Sequence, residues 1–542
     1  MLNPLIMKHK VLVFALSLLT SVNLFAQDQF TVQIEPLIIT DAPNVHSFSW
    51  GKTSDGKWII LGGRIDGLHQ RQPFAAFQEN DNNKSVYVID PVANQTWSTS
   101  IDVLSTVLFE QLQSTNQEFY QRGNTLYIMG GYGYSATQND HITYDKLTAI
   151  DVDGLANAVI NNTNIVSFFR QISNSNLAVT GGHLGFLNDV FYLCGGQYFE
   201  GRYNPQGPNH GPGFIQNYTD EIRTFEISDD GTNLSILNYS AQNDTNNLHR
   251  RDYNLAPQIF PDGTSGFTMF SGVFQHTANL PWLNSVDITA SGYTVNNTFN
   301  QYLSQYHSAK VPIYDTSNNV MHTLFFGGMS QYKLDTSDNL IQDDNVPFVK
   351  TISKVSRFSD GSMTESSLGI EMPTLLGSGS EFIPLEFGAN FSENGILDLN
   401  NLQEGVTHIG YIFGGIESTQ ENIFFINDGT QSSASNLAFK VFINKSTLSI
   451  DEVALNPNNI YNLKIYPNPS NGIFSIEVFI PNTQQNTLEV YNLLGKKVKS
   501  IVIEKSIGLK EIALDLASMA SGEYILVFKN KQHTIEKKII KL

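Results

Sequence analysis

The sequence predicts an all-β chain: a circuit of repeated four-stranded units, then a small antiparallel sandwich. Three observations predict it. Hydrophobic strands ending in a glycine doublet recur through the middle of the chain. Composition favours strands and turns over helices. The last eighty or so residues differ from the rest in charge and strand pattern.

Composition sets the class. Charged residues are sparse, at 15%, and aromatics plentiful, at 11%. Gly, Asn, Ser and Thr abound, which suits many short strands joined by polar turns. A chain of 542 residues is long enough for two or three domains. The net charge is −19. Residues 461–542 run against that sign, with eleven Lys and no Arg against seven acids. The acidic middle argues against nucleic acid as a partner, because phosphate binding needs a basic surface. The change of sign marks a boundary near residue 455. Cys194 is the only cysteine, which rules out an intrachain disulfide and a Cys-based zinc cluster.

Residues 1–26 read as a signal peptide. Lys8, His9 and Lys10 form a basic region, Val11 to Leu19 an apolar run, and Ala26 suits a cleavage pocket. Met7 directly precedes the basic region, so residues 1–6 read as an extension. The apolar run is too short to span a membrane, and no other stretch is long and apolar enough. No Cys stands near the cleavage point to anchor a lipid.

The repeat occupies residues 27–445. Its strands are Trp58 to Leu61 before Gly62-Gly63, Leu126 to Met129 before Gly130-Gly131, and Phe191 to Cys194 before Gly195-Gly196. A degenerate copy, Phe267 to Phe270, precedes Ser271-Gly272. Leu324 to Phe326 before Gly327-Gly328 and Tyr411 to Phe413 before Gly414-Gly415 complete six. Turns such as Thr53-Ser54-Asp55-Gly56 and Pro261-Asp262-Gly263 are hairpin signals between a weaker strand and the doublet strand. Four strands per unit and six units are the logic of a β-propeller. The doublets, with Tyr87, Asp90 and Trp97 in the first unit, resemble the kelch repeat family. Ser271 and the loss of the tryptophan after the first unit depart from it. The doublet reads as structural, since Gly allows close backbone approach. Thr31 to Leu37 alternates and reads as a strand that closes the ring.

Loops between second and third strands are mostly long and share a face with the starts of the first strands. Long loops on a rigid face are where binding usually lives. Candidate ligand-binding residues on that face are Arg64, His69, Arg71, Tyr132, Tyr198, Arg202, Arg250, Arg251, Asp252, Trp282, Tyr306, His307 and Glu381. Five of the chain's nine arginines fall in this set. Aromatic faces stack on sugar rings and Arg pairs with carboxylates, which suits an acidic or neutral glycan. Against this, residues at the starts of first strands often cross-link neighbouring units, a role open to Arg251 and Asp252. No His pair has metal-ligand spacing, and no metal or cofactor is expected. A glycan or surface-protein binder is the first expectation, with no assigned catalytic residue. Kelch-like propellers include sialic acid mutarotases, so a sugar-modifying enzyme using Arg251, Asp252, His307 and Glu381 is an alternative. A non-catalytic surface scaffold is another. Copper oxidases of the wider superfamily need a Tyr–Cys cross-link, and Cys194 sits before a doublet inside a strand, which discounts that chemistry.

Residues 446–460 read as a linker, with cleavage expected between Asn444 and Asn459. Residues 461–542 carry Tyr466-Pro467-Asn468-Pro469 and Gly472, a hairpin turning at Gly495-Lys496, the strand at Gly522 and Tyr524, and a terminus with Lys537-Lys538. Strand and turn spacing predicts a small sandwich. These motifs resemble the type A sorting domain of the type IX secretion system of Bacteroidota. The resemblance implies passage through the periplasm and outer membrane by that machinery, and a secreted or outer-surface location.

Overall fold

A computed structural model describes residues 30–385, 390–445, 453–454, 463–480, 485–503, 508–530 and 534–542. The expected signal peptide and most of the expected linker lie outside the described residues.

The chain is all-β. Six main sheets, here I to VI, follow one another along residues 30–445, each with an antiparallel core. Each is built on four strands. Their first strands are Ser49–Lys52, Thr115–Arg122, His183–Leu187, Asn254–Ile259, Lys310–Asp315 and Glu381–Pro384. In sheets I to V the next three strands follow in meander order. In sheet VI the fourth position is taken by Phe30–Leu37, which pairs along Ala438–Lys445. The alternation at Thr31 to Leu37 thus ends as an outer strand supplied from the start of the domain.

Six apolar clusters hold the sheets together, one between each neighbouring pair. Ile59 and Leu61 of sheet I pack with Leu126 and Ile128 of sheet II. Tyr127 and Met129 meet Leu193 of sheet III, and Cys194 meets Met269 of sheet IV. Phe270 packs on Phe325 of sheet V, whose Val311 and Phe326 meet Ile412 and Val441 of sheet VI. Ile383 and Phe413 return to Trp58 and Ile60 of sheet I. Strands buried on both faces read as apolar runs instead of alternating, as Trp58 to Leu61 does.

The glycine doublets staple one sheet to the next. The second-glycine amide donates to a carbonyl leading into the following sheet at five junctions. These are Gly63 to Ser114 (2.9 Å), Gly131 to Val179 (2.9 Å), Gly196 to Arg250 (2.8 Å), Gly272 to Gln305 (3.3 Å) and Gly415 to Val45 (2.9 Å). The first glycine allows the approach. At Gly130, φ is +60° and a Cβ would stand 2.0 Å from the Val179 carbonyl oxygen. At Gly327 the clash would be with Leu376 O at 2.1 Å.

A second set of bonds closes a ring about the axis. The amide of Asn116 donates to the carbonyl of Ser47 (3.2 Å), Gly181 to Asn116 (3.3 Å) and Asp252 to Gly181 (2.8 Å). His307 donates to Asp252, Gly379 to His307 and Ser47 to Gly379, each at 2.9 Å. One residue comes from the start of each first strand, and the sixth bond returns to the first residue. Five of the six have positive φ, between 49° and 70°.

The C-terminal segment has two sheets, of three and four strands, around one apolar core. Phe474 and Ile476 of one sheet pack with Leu488, Val490 and Leu526 of the other. The Pro-Asn-Pro motif ties this segment's beginning to its end. Asn468 donates to the Lys538 carbonyl (2.9 Å) and accepts from the Ile540 amide (2.8 Å). Asn492 accepts from the Leu494 and Lys496 amides, shaping the Gly495 hairpin turn. Gly472 lies against Ala517, Tyr524 donates to the Ala520 carbonyl (2.7 Å), and Lys538 pairs with Glu523 across the strands. Lys537 lies opposite Leu526, and Gly522 opposite Lys541.

Candidate functional site

A cavity of about 980 Å³ lies between the first strands of the six sheets. These are therefore the inner strands. Its walls carry Trp50, Phe119, Phe186, Phe267 and Phe382. The exposed lining residues, including Gly123, Asn188, Asp189, Ser392 and Glu393, all lie where the inner strands end. The cavity opens there, on the short-loop face. At its other end stands the backbone ring, whose Ser47, Asn116, Gly181, Asp252 and His307 line the floor.

Titratable side chains converge near that floor. His307 Nε2 lies 2.9 Å from Glu381 Oε1, and Glu381 is only 8% exposed. Lys310, three residues beyond His307 at the start of its strand, lines the same cavity. The His183 ring stands edge-on to His307, centroids 4.7 Å apart. His183 Nε2 donates to the Tyr253 carbonyl (2.6 Å), which fixes its proton on that nitrogen. Asp252 is paired with Arg251 behind the floor. Glu118 accepts the Gly182 amide on Oε1 (2.8 Å), while its buried Oε2 meets no hydrogen-bond donor.

Burial and charge give these groups different protonation behaviour. Burial pushes the Glu381 carboxyl up, but His307, Lys310 and Trp50 outweigh it and hold it below the usual carboxylate range. Burial drives Glu118 well above that range, and the Gly182 amide counters only part of this. His183 is pushed far down by burial, then by His307 and Lys310, and is neutral. Burial lowers Lys310, with Glu381 partly offsetting it. Two carboxyls shifted in opposite directions, a neutral imidazole and a lysine thus share one cavity, the setting in which general acid and base roles can separate.

Of the thirteen residues singled out in the sequence, Asp252, His307 and Glu381 line the cavity. The others lie on the long-loop side of the ring and are engaged there. Arg64 is buried, forked onto Asp66 (2.8 and 2.7 Å) and bonded to Asn82 (2.9 Å). His69 packs among Phe77, Tyr203 and Phe424, and burial lowers it to about 4. Arg71 donates to the Pro205 carbonyl (2.6 Å) and lies over Phe424 and Phe425. Tyr132 donates to the Gly201 carbonyl (2.8 Å), Tyr198 to Glu200 (3.0 Å) and Arg202 to the Ala76 carbonyl (3.0 Å). Arg250 is wholly buried, bonded to Asn247 O, Ser271 O, Asn284 O and Asn284 Oδ1. Trp282 covers it and donates to the His249 carbonyl (2.9 Å). Arg251 donates to the Tyr218 hydroxyl (3.0 Å), and Tyr306 packs against the cluster of Met329 and Phe348.

Glu118, His183 and Lys310 escaped the sequence reading. The ring explains how two of them could have been found. Glu118, His183 and Glu381 each stand two residues beyond a ring residue, in equivalent register on sheets II, III and VI. Lys310 stands three beyond, in register with Trp50 and Phe382. Cys194 is buried between sheets III and IV. Among the described residues, no three His, Cys, Asp or Glu side chains gather as a metal-ligand set.

Fold and site define the protein as all-β, with sheets in a closed circuit around an axial cavity. Its C-terminal segment is more specific: residues 464–542 match the family of secretion system C-terminal sorting domains. The protein carries a type IX sorting tail, engages that machinery, and is exported to the cell surface or secreted. Among the described residues no helix is long and apolar enough to cross a membrane. No curated protein matches the chain. Among solved structures, one titled "Structure of YjhT" is 12% identical, covers 78% of this chain and 99% of its own, and has a TM-score of 0.43. A novel fungal alcohol oxidase of the AA5 family, in complex with copper, is 8% identical, covers 95% and 100%, and has a TM-score of 0.37. Both are too distant to speak for this chain.

Proposed function

We propose that the protein is an exported, six-bladed, kelch-like β-propeller of a member of the Bacteroidota that binds a neutral glycan in its axial cavity. The propeller spans residues 27–445. Residues 1–26 are its signal peptide, 446–460 a linker, and 461–542 an antiparallel sandwich for sorting. The ring of six hydrogen bonds supports the blade count, because it returns to its first residue after one bond per sheet.

One observation carries the ligand class: aromatic walls lead down to a floor of mixed donors and acceptors. Aromatic faces suit the C–H face of a sugar ring, and such a floor suits its hydroxyls. At the floor the Glu381 carboxylate already faces His307 and Lys310, and Asp252 is paired with Arg251, so no cation there is left for an acidic sugar and a neutral one is favoured; Arg122 stands apart, at the rim. The arginines that would have suited an acidic glycan are engaged on the other side of the ring. Sugar modification is the second reading. It is favoured by Glu118 and Glu381, two carboxyls lining one cavity, shifting in opposite directions, so that one can donate and the other accept a proton.

The test is a glycan array probed with the mature full-length protein and with Glu381→Gln. Binding to neutral glycans that the substitution weakens is the expected result, and bound sugars are then assayed for turnover. Retention only by acidic glycans, or indifference to Glu381→Gln, would refute the site.

A further inference from the structure

The cavity is blind, and this restricts the kind of glycan it can take. Its lining includes no residue from the long loops 64–84, 197–219, 329–346 or 416–432. Between those loops and the cavity stands the backbone ring. Its neighbours are joined by N–H···O bonds of 2.8 to 3.3 Å, so the six peptide segments touch edge to edge. The cavity lining ends at that ring. Behind it, Arg251 is bonded to Tyr218 and lies over Phe274, while His69, Phe77 and Tyr203 pack on one another. The exposed lining residues all lie at the opposite end, on the short-loop rim at Gly123, Asn188-Asp189 and Ser392-Glu393.

An internal stretch of a polymer needs a groove with two exits. A cavity with one mouth admits only an end. Resting on the glycan reading above, we propose that the protein recognises the terminal units of a neutral glycan, which enter from the short-loop face. The last unit meets His307, Glu381, Lys310 and Glu118 at the floor. The units behind it meet the aromatic walls around Phe119, Phe186 and Phe382. The depth fits more than one unit, since Thr115–Arg122 runs the length of the wall and a strand rises about 3.3 Å per residue.

The experiment uses the mature full-length protein. Binding is measured by calorimetry with linear malto-, cello-, xylo- and manno-hexasaccharides, then with the long polymer of each series that binds. End recognition predicts that affinity per mole of chain ends stays constant, so affinity per mass falls in proportion to chain length. Equal affinity per mass for hexamer and polymer would overturn end recognition while leaving glycan binding intact. Failure of every hexamer and polymer would overturn the glycan reading, and this inference with it. Two variants check the direction of access. Glu393→Trp, at the exposed rim, is expected to weaken hexasaccharide binding about tenfold or more. Tyr203→Ala, on the long-loop side, is expected to leave it unchanged. The reverse pattern would place the entrance on the long-loop face and refute the proposal.

Discussion

Replacing Gly130 by Ala tests the meaning of the glycine doublet. At φ +60° an Ala is strained by roughly 1–2 kcal/mol. Its Cβ would stand 2.0 Å from the Val179 carbonyl oxygen, so sheets II and III must separate there. Separation weakens the 2.9 Å bond from the Gly131 amide to the same carbonyl, and a buried acceptor left without a donor costs ~1–3 kcal/mol. The expected loss is therefore about 2–5 kcal/mol, the sum of strain and separation. Gly123→Ala is the control. Gly123 has φ +57°, but a Cβ there meets nothing within 4 Å, so only the strain remains. Urea unfolding followed by tryptophan fluorescence reads the difference, because all four tryptophans lie in the first 300 residues and not in the sorting tail. Equal midpoints for the two variants would refute the staple. Ser271 occupies the same place in the degenerate copy at φ +55°, and Ser271→Gly is expected to change stability far less.

Three further outcomes follow from the geometry. Arg250→Ala should destabilise the domain, since each carbonyl left without its donor costs ~1–3 kcal/mol; a melting temperature within experimental error of the parent's would contradict its structural role. Asp66 is pushed up by burial, but His46 and Arg64 outweigh this and hold it at about 2. Its contribution to stability is present above the ordinary Asp value of 3.8 and is lost as pH falls towards 2, so Asp66→Asn should flatten that part of the acid unfolding curve. An unchanged acid limb would remove the Arg64–Asp66–His46 cluster from the account. Deleting residues 30–37 after the signal peptide should expose the Ala438–Lys445 strand edge and cause self-association, visible by size exclusion. A monomer of parental stability would show that sheet VI does not need this strand.

What the sequence determined by itself is local and periodic. The glycine doublets, the Asp-Gly turns and the alternation at Thr31 to Leu37 mark strands and their ends, because each reflects the backbone conformation of a few adjacent residues. The sorting tail was legible for the same reason: Pro467 to Pro469, Gly495 and the terminal lysines are contiguous motifs. The candidate site was only partly legible. Arg64, Arg71, Arg202 and Arg250 were visible as cations near loops, but their partners lie between 2 and 134 residues away in sequence. Only folding decides that these guanidiniums are occupied by carbonyls and carboxylates. Glu118 and His183 looked like ordinary strand residues. They reach the cavity because the ring sets the same register on different sheets, and hydrogen bonds between distant segments leave no mark in a single local stretch. Tertiary structure alone decided which face is open, because the ring that closes the floor is made of backbone groups that every sequence carries.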